Sequence, residues 1–132
     1  MKLLKVLAIF SFLTLSINTF AQTNSVDFAE PKDGEVVASP FKVKFIVEGM
    51  TVVPAGTKTP DTGHHHLLIN AESIKAGEVI PADERHLHFG KGQTETIVTL
   101  PPGKYKLTLQ FANGLHESYG EEMRKSIEVE VK

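Results

Sequence analysis

Apolar and polar residues alternate with a period of two in several short segments of this 132-residue chain. Residues 41–47 read Phe-Lys-Val-Lys-Phe-Ile-Val, so the four odd-numbered positions are apolar and share one face. Successive side chains of a strand leave opposite faces, and the alternation therefore predicts a half-buried β-strand. The same pattern recurs in residues 105–111 and 126–131. These segments indicate an all-β fold.

Turn residues separate about seven such segments along the chain. Pro31-Lys32-Asp33-Gly34 and Pro101-Pro102-Gly103 are typical turn sequences. Short strands with regularly spaced turns predict an immunoglobulin-like antiparallel β-sandwich of about seven strands. Tyr105 begins the penultimate strand, where such sandwiches often fix a corner with a tyrosine hydroxyl, although a plain core or surface aromatic is the alternative. The predicted strands cover residues 25–28, 41–47, 64–70, 86–89, 94–100, 105–111 and 126–131.

The first 21 residues have the composition of a cleavable signal peptide. Lys2 and Lys5 precede an uncharged, largely apolar run, and Thr19-Phe20-Ala21 provides small residues at the two positions that a signal peptidase reads. A membrane anchor is the alternative, but it would need about 20 predominantly apolar residues. We therefore predict a signal peptide over residues 1–21, a single domain over residues 22–132, and a periplasmic or secreted location.

Charge and cysteine content exclude several classes of partner. Removing Lys2 and Lys5 from the 14 basic residues leaves 12 against 16 acidic ones. Nucleic acid and anionic lipid both require a basic face, so neither is an expected partner. No membrane span is expected after signal cleavage. The chain has no cysteine, which excludes both a disulfide framework and a thiolate metal site.

The placement of histidine is the main functional signal. Five of the six histidines fall within residues 64–88, as His64-His65-His66 and His86-Leu87-His88. Side chains two residues apart on a strand share a face, with Cβ atoms about 6–7 Å apart. Two imidazoles can converge from that spacing on one ion, and neutral imidazole suits copper and zinc. The pattern predicts a site for a divalent copper or zinc ion, whose affinity should fall with pH through about 6.5.

The sixth histidine and the strand register decide which of these residues could meet. In an immunoglobulin-like sandwich, His116 would lie at the same end as the start of the His64 strand. Pairing Asn70 with Arg85 would place His65 on the face of His88, whereas a slip of one residue would place His66 there. The candidate ligands are therefore His64, His65, His66, His86, His88 and His116, with Glu117, Asp61 and Glu84 as candidate oxygen ligands or ring-orienting groups.

Several strings are more specific than this spacing. The chain contains Gly-His-His-His-Leu-Leu-Ile at 63–69, His-Leu-His-Phe-Gly-Lys-Gly-Gln-Thr-Glu at 86–95 and Leu-Pro-Pro-Gly at 100–103. Over most of the predicted mature chain these strings are similar to a bacterial family, domain of unknown function 4399. The resemblance implies a secreted or periplasmic location and no particular activity. Family-like sequences often have a second histidine and prolines after the equivalent of His116, where this chain has Glu117-Ser118-Tyr119.

Three functional hypotheses follow from these observations. The favoured one is a periplasmic or secreted domain that binds copper(II) or zinc as a carrier, a buffer or a metal-stabilised module. The second is a metal-free envelope module that docks a protein or glycan, with the histidines as a structural polar network. The third, less favoured, is a metalloenzyme with an activated water and Glu84, Glu117 or Asp83 as the base. No Ser/His/Asp motif is recognisable, and no catalytic residue is predicted.

Overall fold

The strands lie where the alternating pattern predicts them. The computed structural model describes residues 15–132. Its strands are β1 (Ser25–Glu30), β2 (Val36–Val37), β3 (Phe41–Glu48), β4 (Thr51–Val52), β5 (Thr62–Ile69), β6 (His86–His88), β7 (Glu95–Val98), β8 (Gly103–Ala112) and β9 (Arg124–Val131), and a 3-10 helix (Glu121–Met123) precedes β9. Seven of these strands match the prediction. The other two, β2 and β4, have two residues each and are too short to show a period.

Two sheets form the sandwich. The smaller sheet has the antiparallel order β1-β3-β7, and the larger has the order β2-β9-β8-β5-β4. β6 also pairs with β5, antiparallel. Most pairs are antiparallel, but the short pairs β2–β9 and β4–β5 are parallel. The prediction of an all-β sandwich is confirmed, and its finer, immunoglobulin-like assignment stays a prediction.

The apolar faces of the two sheets meet in one core. Phe45 of β3, Leu109 of β8 and Ile127 of β9 are each at most 4% exposed and lie on the faces that the alternation predicts. The Tyr105 hydroxyl donates to the carbonyl oxygen of Pro101 at 2.8 Å. This bond ties the start of β8 to the preceding turn, in the manner expected of a tyrosine at a sandwich corner.

The outer face of the larger sheet is covered in part by the connection between β5 and β6. Ile80 in this connection is buried, and its backbone N–H donates to the carbonyl oxygen of His116 at 2.9 Å. Arg124 Nη2 of β9 donates to the carbonyl oxygen of Ile74 at 2.6 Å. These bonds fix the connection against the sheet, next to the start of β5.

Most of the predicted signal peptide lies outside the described residues. Residues 1–14 are not described, and residues 15–21 are exposed with no regular secondary structure. Within residues 15–132, no helix has the length and apolar character needed to cross a membrane. Cleavage after Ala21 and export of the mature chain stay predictions.

Candidate metal centre

β5 places two histidines together on the outer face of the larger sheet. His64 pairs with Ala112 and His66 with Gln110 of β8, so both imidazoles leave the same side of the strand. The two side chains are buried, with 0% and 1% of their surface exposed. Their Nε2 atoms lie 3.0 Å apart. They form the floor of the candidate site.

β6 brings a third imidazole to the same face. His88 is the direct partner of His66, and Leu87 is the partner of Leu67. This register differs by one residue from the pairing of Asn70 with Arg85, so His66 rather than His65 shares a face with His88. The ring centroid of His88 lies 5.1 Å from that of His66 and 5.0 Å from that of His64.

A glycine makes room for the His88 ring. A Cβ atom added at Gly90 would lie 2.3 Å from His88 Cε1 and 2.5 Å from His88 Nε2, far inside van der Waals contact. The backbone of Gly90 is outside the left-handed region, so its conformation does not require glycine. Glycine is needed here because a side chain would occupy the space of the His88 ring. The sequence alone does not reveal this role of Gly90, because only the position of the folded His88 ring shows it.

His116 reaches the site from the connection after β8. Its backbone has a φ of 66°, in the left-handed region that few residues other than glycine adopt. Asn113 stabilises this turn, since its Oδ1 accepts hydrogen bonds from the backbone N–H groups of Leu115 at 2.9 Å and Glu117 at 3.1 Å. His116 Nε2 lies 3.1 Å from His88 Nε2.

The four rings of His64, His66, His88 and His116 form one group, here called the histidine cluster. The ligand atoms of His64, His66 and His88 all lie within 4.8 Å of one another. His116 adjoins this group through its contact with His88 and a centroid distance of 5.0 Å to His64. His88 is exposed and His116 is partly exposed. The cluster therefore has a buried floor and a rim that solvent reaches.

Burial keeps the floor of the cluster uncharged. Desolvation, followed by the neighbouring His88 and His116, lowers the pKa of His64 to about 4. Desolvation, followed by the neighbouring His64, His88, His116 and His65, lowers the pKa of His66 to about 2. Desolvation and then His116 also lower the pKa of His88. Since only neutral imidazole binds metal, protons should begin to compete at a lower pH than the value of about 6.5 for free imidazole suggests.

The structure does not bring the other two histidines into the cluster. His65 lies on the inner face of β5, with its ring centroid 4.9 Å from that of Phe45 and 5.0 Å from that of Phe111. Neither of its ring nitrogens has a hydrogen-bond partner within residues 15–132. His86 is held elsewhere, because its Nδ1 lies 2.7 Å from Asp83 Oδ1.

The candidate carboxylates serve other contacts or lie apart from the cluster. Glu117 Oε2 accepts hydrogen bonds from Asn113 Nδ2 at 2.7 Å and Lys58 Nζ at 3.0 Å, and these bonds lower the pKa of Glu117. Glu117 therefore supports the turn that carries His116. Among the described residues, the close group of potential ligand atoms contains histidine alone, without Asp61 or Glu84.

Comparison with known proteins places the chain in a family. Residues 43–132 match the family described as Domain of unknown function (DUF4399). The chain belongs to this family. The DUF4399 match includes all four residues of the histidine cluster. No curated protein matches the chain. One solved structure, the endo-β-1,4-mannanase from Thermotoga petrophila, is similar at 14% identity and a TM-score of 0.49, over 83% of this chain and 20% of its own.

Proposed function

We propose that this DUF4399 protein binds a zinc or copper ion at the histidine cluster and acts as a carrier, a buffer or a metal-stabilised module. The observation that carries the proposal is the convergence of imidazoles from β5, β6 and the connection after β8. In a tetrahedral site with metal–nitrogen bonds of about 2.0–2.1 Å, neighbouring ligand nitrogens are about 3.3 Å apart. Two of the Nε2 pairs in the cluster, His64–His66 and His88–His116, are 3.0 and 3.1 Å apart. Small movements of the rings would suffice to bind an ion.

Hydrogen bonding alone explains these histidines poorly. A buried polar network that serves only structure satisfies its members, because unpaired polar atoms are costly in a low dielectric. In the cluster, the Nδ1 atoms of His64 and His66 have no partner within residues 15–132. Each of these two buried rings thus has a single hydrogen-bonding partner, the Nε2 atom of the other ring. This arrangement supports metal binding over the metal-free network.

The exposure of the rim supports reversible loading. His64 and His66 are buried, while His88 and His116 face solvent at least in part. An ion can reach the rim ligands first and then the floor, without opening of the core between the sheets. A location outside the cytoplasm is part of the same proposal and is supported by the predicted signal peptide over residues 1–21.

Titration calorimetry of the tag-free mature protein with zinc and with copper(II) at neutral pH tests the proposal. We expect one ion per chain, bound more tightly than ~100 μM, the affinity we would ascribe to scattered surface histidines. Metal affinity should fall by more than about 100-fold in each of the variants His64→Ala, His66→Ala and His88→Ala. Mutation of residues that only hydrogen-bond to metal ligands already lowers metal affinity by about 10–100-fold.

His86→Ala is the matched control for these variants. It removes an imidazole from the same strand as His88, but one that contacts Asp83 instead of the cluster. Its metal affinity should equal that of the wild type. The proposed function would be refuted if the wild type bound neither zinc nor copper(II) more tightly than ~100 μM.

A further inference from the structure

We infer that His116 completes a closed, four-histidine tetrahedral site, in which no coordination position is left for water or substrate. The inference rests on the proposed function and deepens it. Catalytic zinc sites have three protein ligands and an open fourth position, whereas closed sites hold the ion with four. A closed site makes the ion a cargo or a structural element.

The six distances between ring centroids distinguish a tetrahedral from a square arrangement. With metal–nitrogen bonds of about 2.0–2.1 Å, each centroid lies about 3.2 Å from the ion, so a tetrahedron gives six distances of about 5.2 Å. A square gives four of about 4.5 Å and two of about 6.4 Å by the same construction. The observed distances are 4.7, 4.8, 5.0, 5.0, 5.1 and 6.0 Å. They match a tetrahedron with one widened edge.

The widened edge joins His66 and His116. His116 nevertheless lies as close to His64 as His88 does, since both centroid distances are 5.0 Å. The contact between His116 and His88 at 3.1 Å joins their Nε2 atoms, which are the atoms that would face a shared ion. His116 therefore adjoins the three histidines whose ligand atoms all lie within 4.8 Å of one another, and a movement towards His66 would make it a fourth ligand.

The chemistry of the ligands favours an ion that accepts tetrahedral coordination. The four imidazoles are neutral donors, and Glu117, the carboxylate next to His116 in the chain, is engaged by Asn113 and Lys58. Zinc accepts four ligands in a tetrahedron with no preference from its d electrons. Copper(II) and nickel(II) prefer tetragonal or square-planar sets, which these rings do not form. We therefore assign zinc as the ion that fits the site without distortion.

Cobalt(II), used in place of zinc, makes the coordination visible. Four-coordinate cobalt(II) absorbs intensely in the visible region, and six-coordinate cobalt(II) absorbs weakly. The experiment loads the wild type, His116→Ala and His86→Ala with cobalt(II) and titrates each with azide, which binds cobalt(II) only where a coordination position is open. Melting curves of the metal-free variants check that each one is folded.

We expect the wild type and His86→Ala to give intense spectra that azide leaves unchanged. His116→Ala should give a spectrum that azide shifts, and its zinc affinity should fall by at least about tenfold. A wild-type spectrum that azide shifts, or one as weak as that of six-coordinate cobalt(II), would overturn the closed site while leaving metal binding intact. An azide-insensitive His116→Ala spectrum with wild-type zinc affinity would overturn the assignment of His116. Absence of zinc and cobalt(II) binding would overturn the zinc site, and absence of copper(II) binding as well would overturn the proposed function.

Discussion

Replacing Gly90 with alanine should weaken metal binding while leaving the metal-free domain about as stable as before. The new methyl group would lie 2.3 and 2.5 Å from two atoms of the His88 ring. Carbon atoms in contact are normally about 3.5–4.0 Å apart, so the ring would have to move by about 1 Å or more. A shift of that size is half the length of a metal–nitrogen bond of about 2.0–2.1 Å, and it would remove His88 from its place in the cluster.

The expected size of the effect of Gly90→Ala differs between the zinc-bound and the metal-free protein. Misplacing a ligand through its support costs about 10–100-fold in metal affinity, which is about 1.4–2.7 kcal/mol of metal-induced stabilisation when zinc is in excess. The metal-free protein should change by less than about 1 kcal/mol, because the backbone of Gly90 is outside the left-handed region and accepts alanine. The two effects separate the role of Gly90 in the site from any role in the fold.

Thermal melts with and without excess zinc measure both quantities. Gly34→Ala is the control, since Gly34 has a φ of 79° and open space around the added methyl group. That variant should lose about 1–2 kcal/mol of stability with or without zinc, through backbone strain alone. A zinc-induced rise in Tm that is as large in Gly90→Ala as in the wild type would refute the assignment of His88 as a ligand.

The remaining predictions concern the turn, the pH dependence and the core. Asn113→Ala removes the oxygen that accepts the two turn N–H groups, so calorimetry should show zinc affinity lowered by about tenfold; unchanged affinity would contradict the role of this turn. Burial lowers the pKa of His64 and His65 to about 4. Below pH 6.5 the unfolded chain therefore binds more protons than the folded one, and stability should fall by about 1.4 kcal/mol per pH unit for each such histidine as the pH drops from about 6.5 towards 4. Acid titration followed by circular dichroism checks this, and a metal-free domain equally stable at pH 6.5 and 4.5 would contradict it. Leu109→Ala should lower the free energy of unfolding by about 2–5 kcal/mol in melts both with and without zinc. A destabilisation seen only without zinc would show that Leu109 is not part of a core whose stability is independent of the metal.

The strands were predictable because their signal is local. In β3 and β9, apolar residues recur at every second position, and their burial in the structure follows that period. The short strands β2 and β4 carry no such signal, and only their pairing with β9 and β5 defines them. The β5–β6 connection likewise shows no period, so its packing over the outer face of the larger sheet was not predictable from the pattern.

The role of His65 shows the limit of local reasoning about the site. The triplet on β5 indicates that two of its histidines share a face and the third opposes them, but it does not indicate which face is buried in the core. In the structure His65 is the partner of Phe111 on β8, and its ring also contacts Phe45 on the opposite sheet. Packing of the inner face between the sheets thus directs His64 and His66 outward.

The alternation of faces within each strand and the concentration of histidine near β5 and β6 could be predicted without a structure, because both depend on residues close together in the chain. The folded chain was needed to show that His66 faces His88, and that His116 joins them from the connection after β8. Register belongs to a pair of strands, and a slip of one residue would move every side chain of the slipped strand to the other face. The choice between registers comes from the side chains that each one would bury, and those side chains come from distant parts of the chain.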